Sequence, residues 1–207
     1  DGMQFVIVFA IIIAGGIGSS EFSSGTIKLL LIRPVNRSMI LLSKYISVLL
    51  STLFFTVICI VASWVVSAIL FGLDGLSTPY LYVENDSVHE GSMLIHLLAQ
   101  YGFQLVYCLI FITVAFMIST LFRNTALAIG LSMFSLMAGG LTLQVLGGFD
   151  WVKYVLFANL DLTIYFNGGT PIKEGMTLGF SVLVLAVYYI IFLIITWFSF
   201  KKRDVAS

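Results

Sequence analysis

Residues 45–73 read YISVLLSTLFFTVICIVASWVVSAILFGL, 29 consecutive positions without an acid or a base. A helix rises 1.5 Å per residue and crosses a hydrocarbon core of about 30 Å in about 20 residues. In lipid the backbone N–H and C=O groups must be satisfied within the segment, so the run predicts a transmembrane helix. Working outward, residues 2–20, 91–122, 124–149 and 175–200 are likewise free of Asp, Glu, Lys and Arg. The expected spans are residues 2–20, 45–72, 94–122, 126–146 and 177–200. Stretches such as FVIVFAIII and YYIIFLIITWF do not alternate in polarity, which excludes a transmembrane barrel.

Composition agrees. The 207 residues are 60% hydrophobic with only 10 basic and 10 acidic side chains. Soluble domains average about 25% charged residues, so this chain has too little polar surface to cover a globule in water. The reading is an all-α polytopic membrane protein whose residues 1–207 form a single transmembrane domain. A soluble enzyme, a secreted disulfide scaffold and a nucleic-acid binder are excluded, since the net charge is zero and no field recruits a polyanion. Cys59 and Cys108 both lie in apolar runs and read as buried free thiols, unless their helices touch.

Charge sign sets the expected orientation. Loop 18–44, the link at Arg123 and the tail at 201–203 hold eight basic residues. The opposite side, residues 73–95 and 147–176 with Asp1, holds only Lys153 and Lys173, against eight acids. Lys and Arg mark the cytoplasmic face, which places residue 1 outside and the C-terminus inside. A chain that starts outside, and with Asp, predicts a further span upstream.

Loop 18–44 contains GSSEFSSGTIKLLLIRPVNRS. Ser19 or Ser20 is expected to cap a new helix over about 21–32, with Glu21 in its first turn and Pro34 ending it. Ser24 and Lys28 share one face of that helix. It reads either as a connector skimming the membrane or as a docking element for a cytoplasmic partner. Loop 73–95 is expected to hold turns only. Loop 147–176, which carries WVKYVLFANLDLTIYF, is too apolar for a solvated loop. Short helices in the outer interface are expected there, with a re-entrant hairpin as the alternative. Gly15, Gly16, Gly18, Gly139 and Gly140, and the pair Ala126 and Gly130, are candidates for close helix approach. Gln100, Gln104 and Gln144 read as interhelical hydrogen-bonding groups or as a polar pathway.

No catalytic constellation occurs. Gly130-Leu131-Ser132 lacks the second glycine of a nucleophile elbow, and no Walker-type phosphate loop is present. His89 and His96 lie seven apart without a third ligand, so no metal site is expected. The span centres also lack the ionisable groups that proton- or sodium-coupled carriers place inside the membrane. A protein that moves cargo without such a group draws its free energy from elsewhere, most simply from a separate ATPase.

The loop SSEFSSGTIKLLLIRPVNRSMILLSK resembles that of the type-2 export permeases of ABC transporters, through Glu21, Gly25, Thr26, Pro34, Arg37 and Lys44. The segment KYVLFANLDLTIYFNGG and the ending WFSFKKRDVAS resemble bacterial members as well. The resemblance implies six spans in the full protein, five of them here, and a bacterial plasma-membrane location. It implies a homo- or heterodimer of permeases and a cytoplasmic ABC ATPase that binds ATP and Mg, with no cofactor in this chain. Glu21, Gly25, Thr26 and Lys28 would lie in a coupling helix, with Arg33, Pro34, Arg37 and Lys44 forming its exit. The implied activity is efflux of an amphipathic or hydrophobic cargo such as an antimicrobial peptide or drug, or else of sodium. An ATP-independent carrier or channel is the alternative from a different class.

Overall fold

The computed structural model describes residues 2–23, 37–72, 80–84, 87–122, 124–166 and 169–202. Each uncharged run forms a helix. These are α1 (Gly2–Ser23), α2 (Arg37–Phe71), α3 (Met93–Leu121), α4 (Thr125–Leu146) and α6 (Leu178–Lys202). Two 3-10 helices, Asp150–Tyr154 and Leu156–Asn159, and the one-turn α5 (Thr163–Phe166) lie between α4 and α6. The helices thread the bundle alternately. One end carries the α1–α2 connection and is called the elbow end; the other is the hairpin end.

Among the described residues four helices are long and apolar enough to cross a membrane: Ser38–Phe71, Met93–Leu121, Thr125–Leu146 and Leu178–Lys201. The apolar run in α1, Gly2–Ile17, is shorter. Helix boundaries fall within two residues of the expected spans except at the end of α1, which runs three residues longer, and at the start of α2. That helix begins at Arg37, two turns before residue 45, and its 35 residues extend about 52 Å.

Helix α3 is the axis of the bundle. Over half of its apolar stretch, 56%, is buried, against 6% for α2, so α2 presents most of its apolar surface outward. Ile110, Phe111, Ile112, Ala115 and Phe116 of α3 form the core with Ile7, Ile11 and Ala14 of α1 and Leu41 and Val48 of α2. Phe5, Phe54 and Trp64 are exposed. Outward apolar side chains of this kind suit a hydrocarbon solvent, where the protein need not hide them from water.

Two expectations are corrected. Loop 73–95 is not limited to turns: β1 (Tyr80–Glu84) and β2 (Ser87–Gly91) pair antiparallel, with Val83 opposite Val88 and Glu84 opposite Ser87. The physical reason is local: the two linking residues are Asn85 and Asp86, types that suit a two-residue hairpin connection. The fold is therefore helical with one small sheet. Nor does a new helix begin at Ser19 or Ser20, because α1 continues to Ser23. Instead of capping, the Ser19 hydroxyl turns back on its own helix and donates to Gly15 O at 2.8 Å.

Single glycines, not pairs, set the helix approaches. A Cβ on Gly15 would sit 3.1 Å from Ile129 Cγ1 of α4, and one on Gly139 would sit 3.0 Å from the Phe157 ring. Gly16, Gly130 and Gly140 face open space, so the Ala126–Gly130 pair does not seat a described neighbour. Cys59 and Cys108 are both free thiols.

Candidate functional site

The first locus is the elbow end. Of the coupling residues expected from sequence, Gly25, Thr26, Lys28, Arg33 and Pro34 lie outside the described residues, as do the side chains of Glu21 and Arg37. Lys44 is described and buried, and its ammonium donates to Ile17 O of α1 at 3.3 Å. This contact ties the first turns of α2 to the last turns of α1, on either side of the connection.

Beside it lies a clasp of hydroxyls that sequence reading did not single out. Ser119 of α3 is fully buried; its Oγ donates to Gly15 O at 2.7 Å and accepts from Ser19 N at 3.0 Å. Ser19 Oγ lies 3.2 Å from Thr125 Oγ1 of α4. Asn124 caps α4, accepting from Ala126 N and Leu127 N at 2.9 and 3.3 Å. Helices α1 and α3 are thus joined by side-chain to backbone bonds, and α1 and α4 by a hydroxyl to hydroxyl bond at the same level. Deeper in the bundle Tyr45 of α2 bonds Thr113 of α3 at 2.8 Å and Tyr189 of α6 at 3.2 Å. Nothing in the sequence separates Ser119 from Ser132, which merely bonds a carbonyl of its own helix.

The second locus is a cavity of about 450 Å³ toward the hairpin end. Ile7 and Val8 of α1, Phe103 and Tyr107 of α3, Leu136 of α4 and Leu162 form its apolar wall. Gln4, Gln104, Asp161 and Thr163 supply polar groups. Gln104 also borders a smaller cavity of about 110 Å³ with Gln100, Cys59 and Ser63. Of the three glutamines expected to matter, two therefore meet at adjoining cavities, whereas Gln144 is exposed on α4.

The floor segment between α4 and α6 is locally fixed. Asn159 is buried, and its amide nitrogen donates to Lys153 O at 2.8 Å and Val155 O at 2.9 Å, joining the two 3-10 helices. Asp161 Oδ1 accepts from both the backbone N–H and the hydroxyl of Thr163, which starts α5. Phe166 stacks on His96 at 5.3 Å and meets Phe103 edge-on at 6.0 Å, holding α5 against α3. Tyr165 bonds Ser181 of α6 at 2.8 Å. In the sequence Asn159 and Asp161 stand out as polar interruptions of an apolar run; Tyr107 and Thr163 carry no such signal. Among the described residues no group of three or more His, Cys, Asp or Glu could hold a metal ion. The side chain of His89, in β2, lies outside the described residues.

Over residues 2–206 the chain matches the family described as protein of unknown function (DUF2705), and it belongs to that family. It is 46% identical over 213 residues to the uncharacterized protein YhcI of Bacillus subtilis (strain 168), the match covering 100% of this chain and 68% of that protein. It is 34% identical over 197 residues to the uncharacterized membrane protein YdbK of the same organism, covering 94% of this chain and 76% of that one. With four apolar helices long enough to span, the chain is a helical, multi-pass membrane protein.

Proposed function

We propose that this DUF2705 protein is the membrane-spanning permease subunit of an ATP-driven ABC exporter of the type-2 export class. In this reading α1 is a fifth span, and a sixth precedes it in the full protein. The elbow end is cytoplasmic, residue 1 lies outside, and the membrane is the bacterial plasma membrane. A second permease copy or paralogue completes the pathway, and a separate cytoplasmic ATPase supplies ATP and Mg chemistry. Glu21, Gly25, Thr26 and Lys28 dock on that ATPase, while Arg33, Pro34, Arg37 and Lys44 carry its movement into α2. The cargo is amphipathic or hydrophobic.

The observation that carries the reading is the distribution of buried charge. Among the described side chains Lys44 is the one buried Asp, Glu, Lys or Arg, and it sits at the elbow, not at mid-span. Among the described side chains no Asp or Glu is buried to hold a coupling ion inside the bundle, which favours an external energy source. The Lys44–Ile17 bond supports the mechanical part. A push on the elbow is transmitted to both α1 and α2 because the two are joined immediately behind it. Affinity capture of the tagged protein from gently solubilised membranes tests the proposal. A subunit with a Gly-x4-Gly-Lys-Ser/Thr loop is expected to come with it. Its consistent absence, with cargo efflux intact, refutes the proposal.

A further inference from the structure

The cavity at the hairpin end has the form of a ligand site: a volume in the range typical of small-molecule pockets, mostly apolar walls, and a few polar groups among them. Its described lining contains one ionised group, Asp161, and no Lys, Arg or His. The two lysines of this end are engaged elsewhere. Lys173 donates to Gly148 O at 3.2 Å and pairs with Asp150 at 3.5 Å, and Lys153 lies over the Tyr154 ring at 5.3 Å. Further acids of the described residues, Glu90, Asp150 and Glu174, lie in the two connections of this end. An anion entering here would meet repulsion and find no cationic partner. An alkyl chain, by contrast, has the wall of Ile7, Val8, Phe103 and Leu136 to lie against. A cationic head has Asp161 as counter-charge, with the Tyr107 ring and Gln104 beside it.

From this juxtaposition we infer that the cavity between α1, α3, α4 and residues 160–163 of the floor segment binds single-chain amphiphiles with an ammonium head group, using Asp161 as the counter-charge. Asp161 is placed for this by its own local fold: bonding to Thr163 through Oδ1 fixes the carboxylate at the start of α5, and α5 is pinned to α3 by Phe166. The site is a property of the hairpin end and holds its ligand whether or not an ATPase is attached to the elbow. Its failure would leave the coupling proposal standing.

The test is photolabelling of the protein in glycolipid nanodiscs that contain no ammonium group. The probe is a diazirine-tagged dodecyltrimethylammonium, compared with the matching uncharged dodecyl alcohol. The cation is expected to label peptides containing Gln104–Tyr107 or residues 160–163. Asp161→Asn is the informative variant, because its amide oxygen still accepts from Thr163 while the charge is gone. It should weaken labelling by the cation about fivefold, an amount tempered by the exposure of Asp161, and leave the alcohol unchanged. Asp161→Glu should retain cation labelling. Equal labelling of wild type and Asp161→Asn by the cation, or labelling confined to other peptides, overturns the inference.

Discussion

Replacing Ser119 with Ala removes the hydroxyl that joins α3 to α1 without disturbing packing volume appreciably. Two bonds go: the 2.7 Å donation to Gly15 O and the 3.0 Å acceptance from Ser19 N. Interhelical hydrogen bonds within membranes average about 0.6 kcal/mol and reach about 1.7. Two of them give about 1.2 kcal/mol, an eightfold change, roughly, in the folding equilibrium. The loss is limited because Gly15 O keeps the Ser19 hydroxyl as a donor. Ser47→Ala is the matched control. Ser47 is exposed and bonds only Ser43 O of its own helix, so its removal should stay within about 0.5 kcal/mol of zero. Equilibrium unfolding in bicelles, followed by steric trapping or by titration with a denaturing detergent, measures both. If Ser119→Ala and Ser47→Ala prove equally stable, the clasp has no energetic role and its reading is wrong.

The neighbouring glycines give a second contrast. Gly15→Val should destabilise by about 1–3 kcal/mol more than Gly16→Val, since both add the same side chain but only the first meets Ile129, with its Cβ 3.1 Å from Cγ1 and 3.4 Å from Cα. Indistinguishable unfolding curves would show that α1 and α4 do not approach at Gly15. Glu21→Lys should uncouple ATP hydrolysis from efflux while the protein inserts normally, as judged by yield in the membrane fraction. Unimpaired efflux in that variant counts against the coupling assignment.

Much of the helical frame was legible because its signal is one-dimensional: charges punctuate the chain, and hydrocarbon thickness fixes the length between them. Features made by several elements were not. The hairpin at residues 80–91 lay hidden because Gly, Pro and acids suggested a plain loop, although Asn85 and Asp86 suit its connection. Gln104 stood out as an amide in an apolar helix. Its companions in the cavity, such as Met3, Met137 and Thr163, are scattered along the chain and chemically ordinary. Ser19 was read as a cap from its type. Whether a serine caps or bonds backward depends on the backbone around it, and here α1 runs on to Ser23 while the Ser19 hydroxyl bonds back to Gly15 O and its N–H bonds Ser119 Oγ. Lys44 immediately precedes the uncharged run that starts at Tyr45, and its bond to Ile17 O adds a partner that spacing alone could not name.

The central claim is that an ATPase grips the elbow, and a photo-crosslinking residue installed at position 25 in living cells tests it most directly. Coupling through the elbow predicts a covalent adduct with a nucleotide-binding subunit, whose yield changes when ATP is depleted. Modification of position 25 by a membrane-impermeant reagent from outside the cell would contradict it, as would cargo efflux that continues in ATP-free vesicles.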